Sequence, residues 1–412
     1  MAAPARKFGV EAFQEAFDAS GDAARQAAFN RFAETGLPHH KIEAWKYTSL
    51  VHLARTEFQA APANFELNGP LPDRLGDAAR VVFVNGRYVD ELSDSPVAGH
   101  TALRYGAPTE PFKLGDEASD DPMLALTAAM ATDGAVLALD GNQGPIELLY
   151  ITAPGASPQV AHTRNRITVS GGDALVIERH IAMANGEATL NNGSTEIVLA
   201  EGAKLTHIKL QVEAENANHI WHHTVSIPAG AQYTSQVVST GGALARNRIT
   251  IKLMGEGADC VLDGAYSARA KQHLDHTSKI VHAVADTTSR QVYNGVLDDH
   301  GRGVFQGHIV VAEDAQRTDG HQLNRALMLS DHAEIDSKPM LEIYADDVKC
   351  SHGATAGDLD DTQLFYLQSR GIPADEARRL LVEAFLAETI DNISFEPARE
   401  AALKLVQEHL AR

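Results

Sequence analysis

A turn built on small residues returns through the middle of the chain at a nearly constant interval. Gly172-Asp173-Ala174, Glu201-Gly202-Ala203, Ala229-Gly230-Ala231, Glu256-Gly257-Ala258 and Glu313-Asp314-Ala315 set successive alanines 29, 28, 27 and 57 residues apart. The last gap is about two such periods. Arg164-Asn165-Arg166-Ile167-Thr168-Val169 also returns as Arg246-Asn247-Arg248-Ile249-Thr250-Ile251, 82 positions on and about three periods away. Between these marks lie short alternating runs rich in Val, Ile, Leu and Thr. A unit of a few short strands cannot bury its own apolar face. Stacking one coil on the next closes the hydrogen-bond ladders and builds a continuous core. Strands that pair with their equivalents in the next coil are parallel, so the spacing predicts a mainly β chain with a parallel β-helix over residues 134–357. Strand pattern alone leaves a β-sandwich as the second choice.

The 412 residues exceed one compact core and call for two or three parts. Residues 1–133 read as a mixed, partly helical region. Phe8, Phe13, Phe17, Ala24, Ala28 and Phe32 fall near helical spacing, with a break at Ser20 and Gly21. Residues 81–84 followed by Asn85-Gly86 predict a strand and tight turn, and Asp121-Pro122 opens a short helix reaching Met130. Helical periodicity returns over 358–412. Asp358 or Asp360 caps a first helix that stops at Gly371. Pro373 starts a second, with Ala377, Leu380, Leu381, Ala384 and Phe385 on its buried face, and Pro397 starts a third. Such helices must cover something apolar, either the end of the solenoid or a partner.

Thirty-five Lys and Arg against 55 Asp and Glu give a formal charge of −20. That surface repels phosphate backbones and anionic lipid, which argues against nucleic-acid or membrane partners. No apolar run is long enough to span a bilayer and no hydrophobic stretch follows Arg6 and Lys7, so a cytoplasmic location is expected. Two cysteines, Cys260 and Cys350, are too few for a disulfide framework.

The densest candidate site is Asp346-Asp347-Val348-Lys349-Cys350-Ser351-His352-Gly353-Ala354-Thr355. On a strand, Cys350 and His352 project to the same side, and thiolate with imidazole suits iron, zinc or copper(I). Two ligands do not close a site; the others must come from elsewhere in the fold or from another chain. A buried thiol beside a hydrogen-bonded imidazole is the alternative. His222 and His223 point to opposite faces of a strand, and the His273/His276 spacing chelates only on a helix. Cys260 reads as core. Gly241-Gly242 and Gly301-Arg302-Gly303 read as turn glycines needing positive φ. Asp298-Asp299 and Asp346-Asp347 diverge if they lie on strands. No phosphate-binding loop, serine-hydrolase elbow or HExxH occurs, so no enzymatic activity is expected.

Several stretches resemble the SufB/SufD family of the Suf iron–sulfur cluster assembly system. They are Arg246-Asn247-Arg248-Ile249, Tyr293-Asn294-Gly295, Gly301-Arg302-Gly303-Val304-Phe305-Gln306-Gly307-His308-Ile309, Thr318-Asp319-Gly320-His321-Gln322-Leu323-Asn324-Arg325-Ala326-Leu327, and above all Lys349-Cys350-Ser351-His352-Gly353-Ala354-Thr355. Glu43-Ala44-Trp45-Lys46-Tyr47-Thr48 is similar to the family's amino-terminal region. The resemblance implies a right-handed parallel β-helix flanked by helices and a non-catalytic scaffold role. It implies pairing with a SufB-like subunit through the β-helices, and binding of a SufC-like ATPase through the carboxy-terminal helices, 358–412. A transient iron–sulfur cluster would form at the junction, with His352 lending a ligand, Cys350 as a further candidate, and none on the isolated chain. Ala333 stands where SufB-like chains carry a sulfur-accepting cysteine, which places this chain on the SufD-like side. Whether it forms a homodimer when alone stays open. A β-helix carbohydrate-active enzyme and a stand-alone Cys/His metalloprotein are the competing readings. The first needs converging carboxylates; the second needs metal on the isolated chain.

Overall fold

The computed structural model describes residues 9–14, 17, 22–62, 64–67, 69–94, 99–104, 121–153, 155–183 and 186–411, with only the backbone of 100–104. Phe8 and the break expected at residues 20–21 lie outside these. The chain winds into a parallel β-solenoid of about seven turns. Each coil gives one strand to each of two ten-stranded sheets, so strands alternate between sheets along the sequence. One sheet runs from Asp133–Leu139 through Gln159–Val169, Thr189–Leu199, Ala217–Ile227, Leu244–Leu253, His273–His282 and Arg302–Val311 to Glu334–Ile343. The other runs from Ala79–Val84 through Ile146–Thr152, Asp173–Ala182, Lys204–Val212, Gln232–Ser239, Asp259–Ala268, Thr288–Leu297 and Asp319–Met328 to Lys349–Gly357. Antiparallel strands close the other end: Arg87–Tyr88 on Ala79–Val84, and His100–Arg104 on Asp133–Leu139. The first of these is the predicted tight turn, with φ of 52° at Asn85 and 76° at Gly86.

Alternate residues point into the lumen, where like stacks on like. Ile167, Ile197, Val225, Ile251, Ile280 and Ile309 form one buried column through six consecutive coils. Each such side chain contributes about 1.5–3 kcal/mol by leaving water. The repeat read from the sequence is off by two residues in register. Arg164 shares its column with Arg248 rather than Arg246. Of the turn alanines, Ala203, Ala231 and Ala258 precede paired strand starts, whereas Ala174 and Ala315 sit at other positions along the coil. For the Arg-Asn-Arg repeat and Ala174 the slip is two, which keeps side chains on their own face, so the period is visible in sequence although the register is not; Ala315 lies three residues off, in the turn before its strand.

Helices cover the outer faces of both sheets. Ala23–Thr35, capped by Asp22, and Pro122–Met130, capped by Asp121, pack Phe29, Phe32, Met123 and Leu126 on Val160, Leu190, Ile220 and Leu244 of the first sheet. At the carboxy terminus, Ala374–Ile390 and Glu396–Leu410 lay Val382, Leu386, Ile390, Ala402 and Val406 on Ile177, Ile208, Leu210, Val238 and Val296 of the second. They therefore clad its flank and leave the solenoid's last coil open. The expected helix face is also rotated: Leu380 and Ala384 are exposed, and Val382 and Leu386 take the buried side. Asp361–Ser369, capped by Asp360 and stopped at Gly371 with φ of 89°, buries nothing. Among the described residues no helix is long and apolar enough to cross a membrane.

Candidate functional site at the open end of the solenoid

Among the described residues, Glu334–Ile343 and Lys349–Gly357 have a strand neighbour on one side only, so each offers a row of unpaired backbone groups. Pro339, opposite Gly307, lacks an N–H and is tolerated because nothing pairs beyond it. Neither strand has a buried residue, although every earlier coil is buried along its lumen face. At the end of the first, Ile343 and the following Tyr344 are 39% and 64% exposed, large apolar groups left facing water at an unfinished edge.

Register fixes where the candidate ligands point. Cys260, Ser289, Gly320 and Cys350 form one column, and Leu262, Gln291, Gln322 and His352 the column two residues along. The first three members of each are buried lumen residues, so Cys350 and His352 continue the lumen face onto the last strand. Beneath His352, Gln322 donates to the carbonyls of Gly307 (3.3 Å) and Met340 (3.4 Å) in the opposite sheet, flooring the open mouth. The imidazole itself is exposed, and Cys350 is half-buried. Burial raises the Cys350 thiol, as does Asp319 nearby; the Gly320 backbone hydrogen bond opposes them. At neutral pH it is a thiol, and a metal would have to displace its proton. Ser351 points outward to His321 Nδ1 at 2.7 Å. Ala333 ends the turn before Glu334 and packs against the core.

The family model described as the SUF system FeS cluster assembly SufBD core domain matches residues 150–385, which carry nearly all the solenoid just described. The chain belongs to the SufBD family. It is 34% identical to the iron–sulfur cluster assembly protein SufD of Escherichia coli over 394 residues, 93% of this chain and 92% of that one. An iron–sulfur cluster assembly SufBD family protein of Synechocystis is 30% identical across 90% of this chain and 86% of its own length. SufD of Bacillus subtilis is 24% identical across 72% and 68%. The open-ended coil is thus the last coil of a SufBD solenoid.

The other residues singled out in sequence have separate places in this SufBD chain. His222 faces the helical layer and bonds Thr250 Oγ1 at 3.0 Å, while His223 faces the lumen, 3.3 Å from Glu178. His273 reaches Thr48 (3.0 Å) on the outer face, and His276 packs inward against Tyr266 and Tyr293. Cys260 is core. Gly242 has the expected positive φ of 88°, but Gly301 does not; a Cβ there would lie 2.4 Å from the Ala268 carbonyl, so close approach is its reason. Asp298-Asp299 and Asp346-Asp347 lie between strands, not on them.

Sequence reading missed a buried polar layer in the lumen, formed by Glu178, His180, His207, Lys209, Glu213, His219 and His223. Burial and the Glu178, Glu213 charges oppose each other at Lys209, and burial wins, lowering it to about 8. At Glu213 burial is outweighed by His219 and its hydrogen bonds, and the carboxyl falls to about 2. Among the described residues, two groups could bring three ligand atoms to one ion: Glu178, His207, His223 and His180, Glu213, His219.

Proposed function

We propose that this SufBD chain is a SufD-like, non-catalytic scaffold subunit whose open β-helix end is completed by a SufB-like subunit, with His352 supplying one ligand to a cluster assembled at that junction. The observation that carries the reading is the exposed imidazole on the lumen column of a strand with one free edge. Edge strands bind by adding a strand, which would continue both sheets into the partner and bring its ligands over the same lumen. The nascent cluster is cargo that passes through the site, and Cys350 is the second candidate donor from this chain. A SufC-like ATPase docks on the carboxy-terminal helices. The acidic surface suits protein partners with basic faces, and the cytoplasm is the compartment in which the complex works.

The test is His352→Ala, co-expressed with a SufB-like and a SufC-like chain. The variant complex elutes with the wild type on size exclusion, because the ring is exposed and supports no core. Cluster reconstituted on the complex, read from visible absorption and iron content, falls by more than about 100-fold, beyond what losing a group that only hydrogen-bonds a ligand costs. Wild-type cluster yield in the variant would remove His352 from the ligand set.

A further inference from the structure

The lumen layer has the geometry of a metal site and an unbalanced charge. Glu178 Oε2 lies 3.3 Å from His223 Nε2, and Glu178 Oε1 lies 3.4 Å from His207 Nε2. Charge-assisted hydrogen bonds are shorter, about 2.7–2.9 Å. One ligand atom from each of Glu178, His207 and His223 lies within 4.8 Å of the other two, near enough for one ion to draw all three into bonds of about 2.0–2.1 Å. His207 Nε2 is buried and makes no well-formed hydrogen bond, while its Nδ1 is 2.9 Å from the Tyr233 hydroxyl, which holds the free nitrogen toward Glu178. Such an outer-shell partner on the far ring nitrogen is what metal-binding histidines carry. Thr195 Oγ1 donates to Glu178 Oε1 at 3.2 Å, and Trp221 Nε1 in turn donates to Thr195 at 3.0 Å. Thr195, itself held by Trp221, therefore orients the carboxylate.

Two buried carboxylates, Glu178 and Glu213, share this layer with one ammonium, Lys209. Lys209 stands opposite Glu178 in the ladder and its Nζ lies 2.9 Å from His219 Nε2, so this single ammonium serves both carboxylates. Two buried carboxylates with one ammonium leave a charge uncompensated, and a bound divalent ion would offset that cost. A cleft of about 800 Å³, lined by Arg269, Lys271, Glu408 and others, reaches Glu213, whose carboxylate lies 2.9 Å from His219 at the edge of the layer.

We propose that Glu178, His207 and His223 form a mononuclear binding site for a divalent first-row transition ion of the ferrous or zinc type inside the β-helix. Two imidazoles and a carboxylate favour such ions over calcium or magnesium, which take oxygen ligands, and over copper(I), which takes sulfur. The site departs from the expectation that the isolated chain carries nothing, and it is independent of His352.

Cobalt(II) is the probe, since its visible absorption reports coordination. The full-length chain is produced in cobalt-supplemented medium and also refolded with cobalt, so that slow entry cannot mask binding. The wild type should hold one cobalt per chain with the intense bands of a low-coordinate site. Glu178→Gln and His223→Gln should each weaken binding more than about 100-fold, and Tyr233→Phe by about tenfold, as for outer-shell groups. Circular dichroism confirms that the variants fold. His352→Ala should bind cobalt as the wild type does, which separates this site from the junction. Sub-stoichiometric cobalt in the wild type under both loadings, or cobalt retained by folded Glu178→Gln and His223→Gln, would overturn the proposal.

Discussion

Arg246 shows how one buried side chain ties a flanking region to the solenoid. Its guanidinium is fully buried, paired with Asp275, donates to the Ala44 carbonyl and stacks 4.1 Å over Trp45. Thr48 donates to the same Asp275 carboxylate. The Glu43-Ala44-Trp45-Lys46-Tyr47-Thr48 segment that looked family-like in sequence is thus the partner of the equally family-like Arg246. Removing one member leaves a buried charge alone, so Arg246→Ala should lower unfolding free energy by about 3–5 kcal/mol, read by urea titration. A loss under 1 kcal/mol would mean the pair is already solvated. Sequence placed Cys350 and His352 on one side of a strand because alternation is a local rule. It could not assemble Glu178, His207 and His223, because each lies on its own strand and only the register and winding of the coils bring them together.

Among the elements, Asp361–Ser369 is the outlier: a capped helix with Phe365 71% and Tyr366 57% exposed. The two helices after it have a sheet to cover, so truncation at residue 357 would strip the apolar flank of the second sheet and confuse lost binding with lost folding. Paired Phe365→Ser and Tyr366→Ser substitutions are cleaner. They should change stability by no more than about 0.5 kcal/mol, as surface changes do, yet weaken SufC-like ATPase binding at least about tenfold by calorimetry. Undiminished binding would move that contact elsewhere. The helices themselves were legible from caps and periodicity. The rotation of Ala374–Ile390 was not, because adjacent apolar residues such as Leu380, Leu381 and Val382 offer two faces and only the sheet beneath selects one.

Across the whole molecule, the solenoid stores neutral imidazoles. Burial lowers His162 to about 3 and His273, His276 and His282 to about 4. Below about 6.5 the unfolded chain takes up protons that the native chain refuses until pH 3–4, so stability falls as pH drops through that window and levels off above it. The urea midpoint should therefore be lower at pH 5 than at pH 7.5; equal midpoints would show these rings protonated in the native state. The period of the coil announced the architecture, whereas the open end was not readable, since the last coil repeats the same pattern and only the absence of a further strand beyond it defines an edge. Amide hydrogen exchange of Lys349–Gly357, in dilute chain alone and with a SufB-like partner, reads that edge residue by residue. The outward-facing amides of this strand should exchange freely alone and become protected in the complex. A complex that forms with their exchange unchanged would contradict the claim that a sister subunit completes the solenoid there.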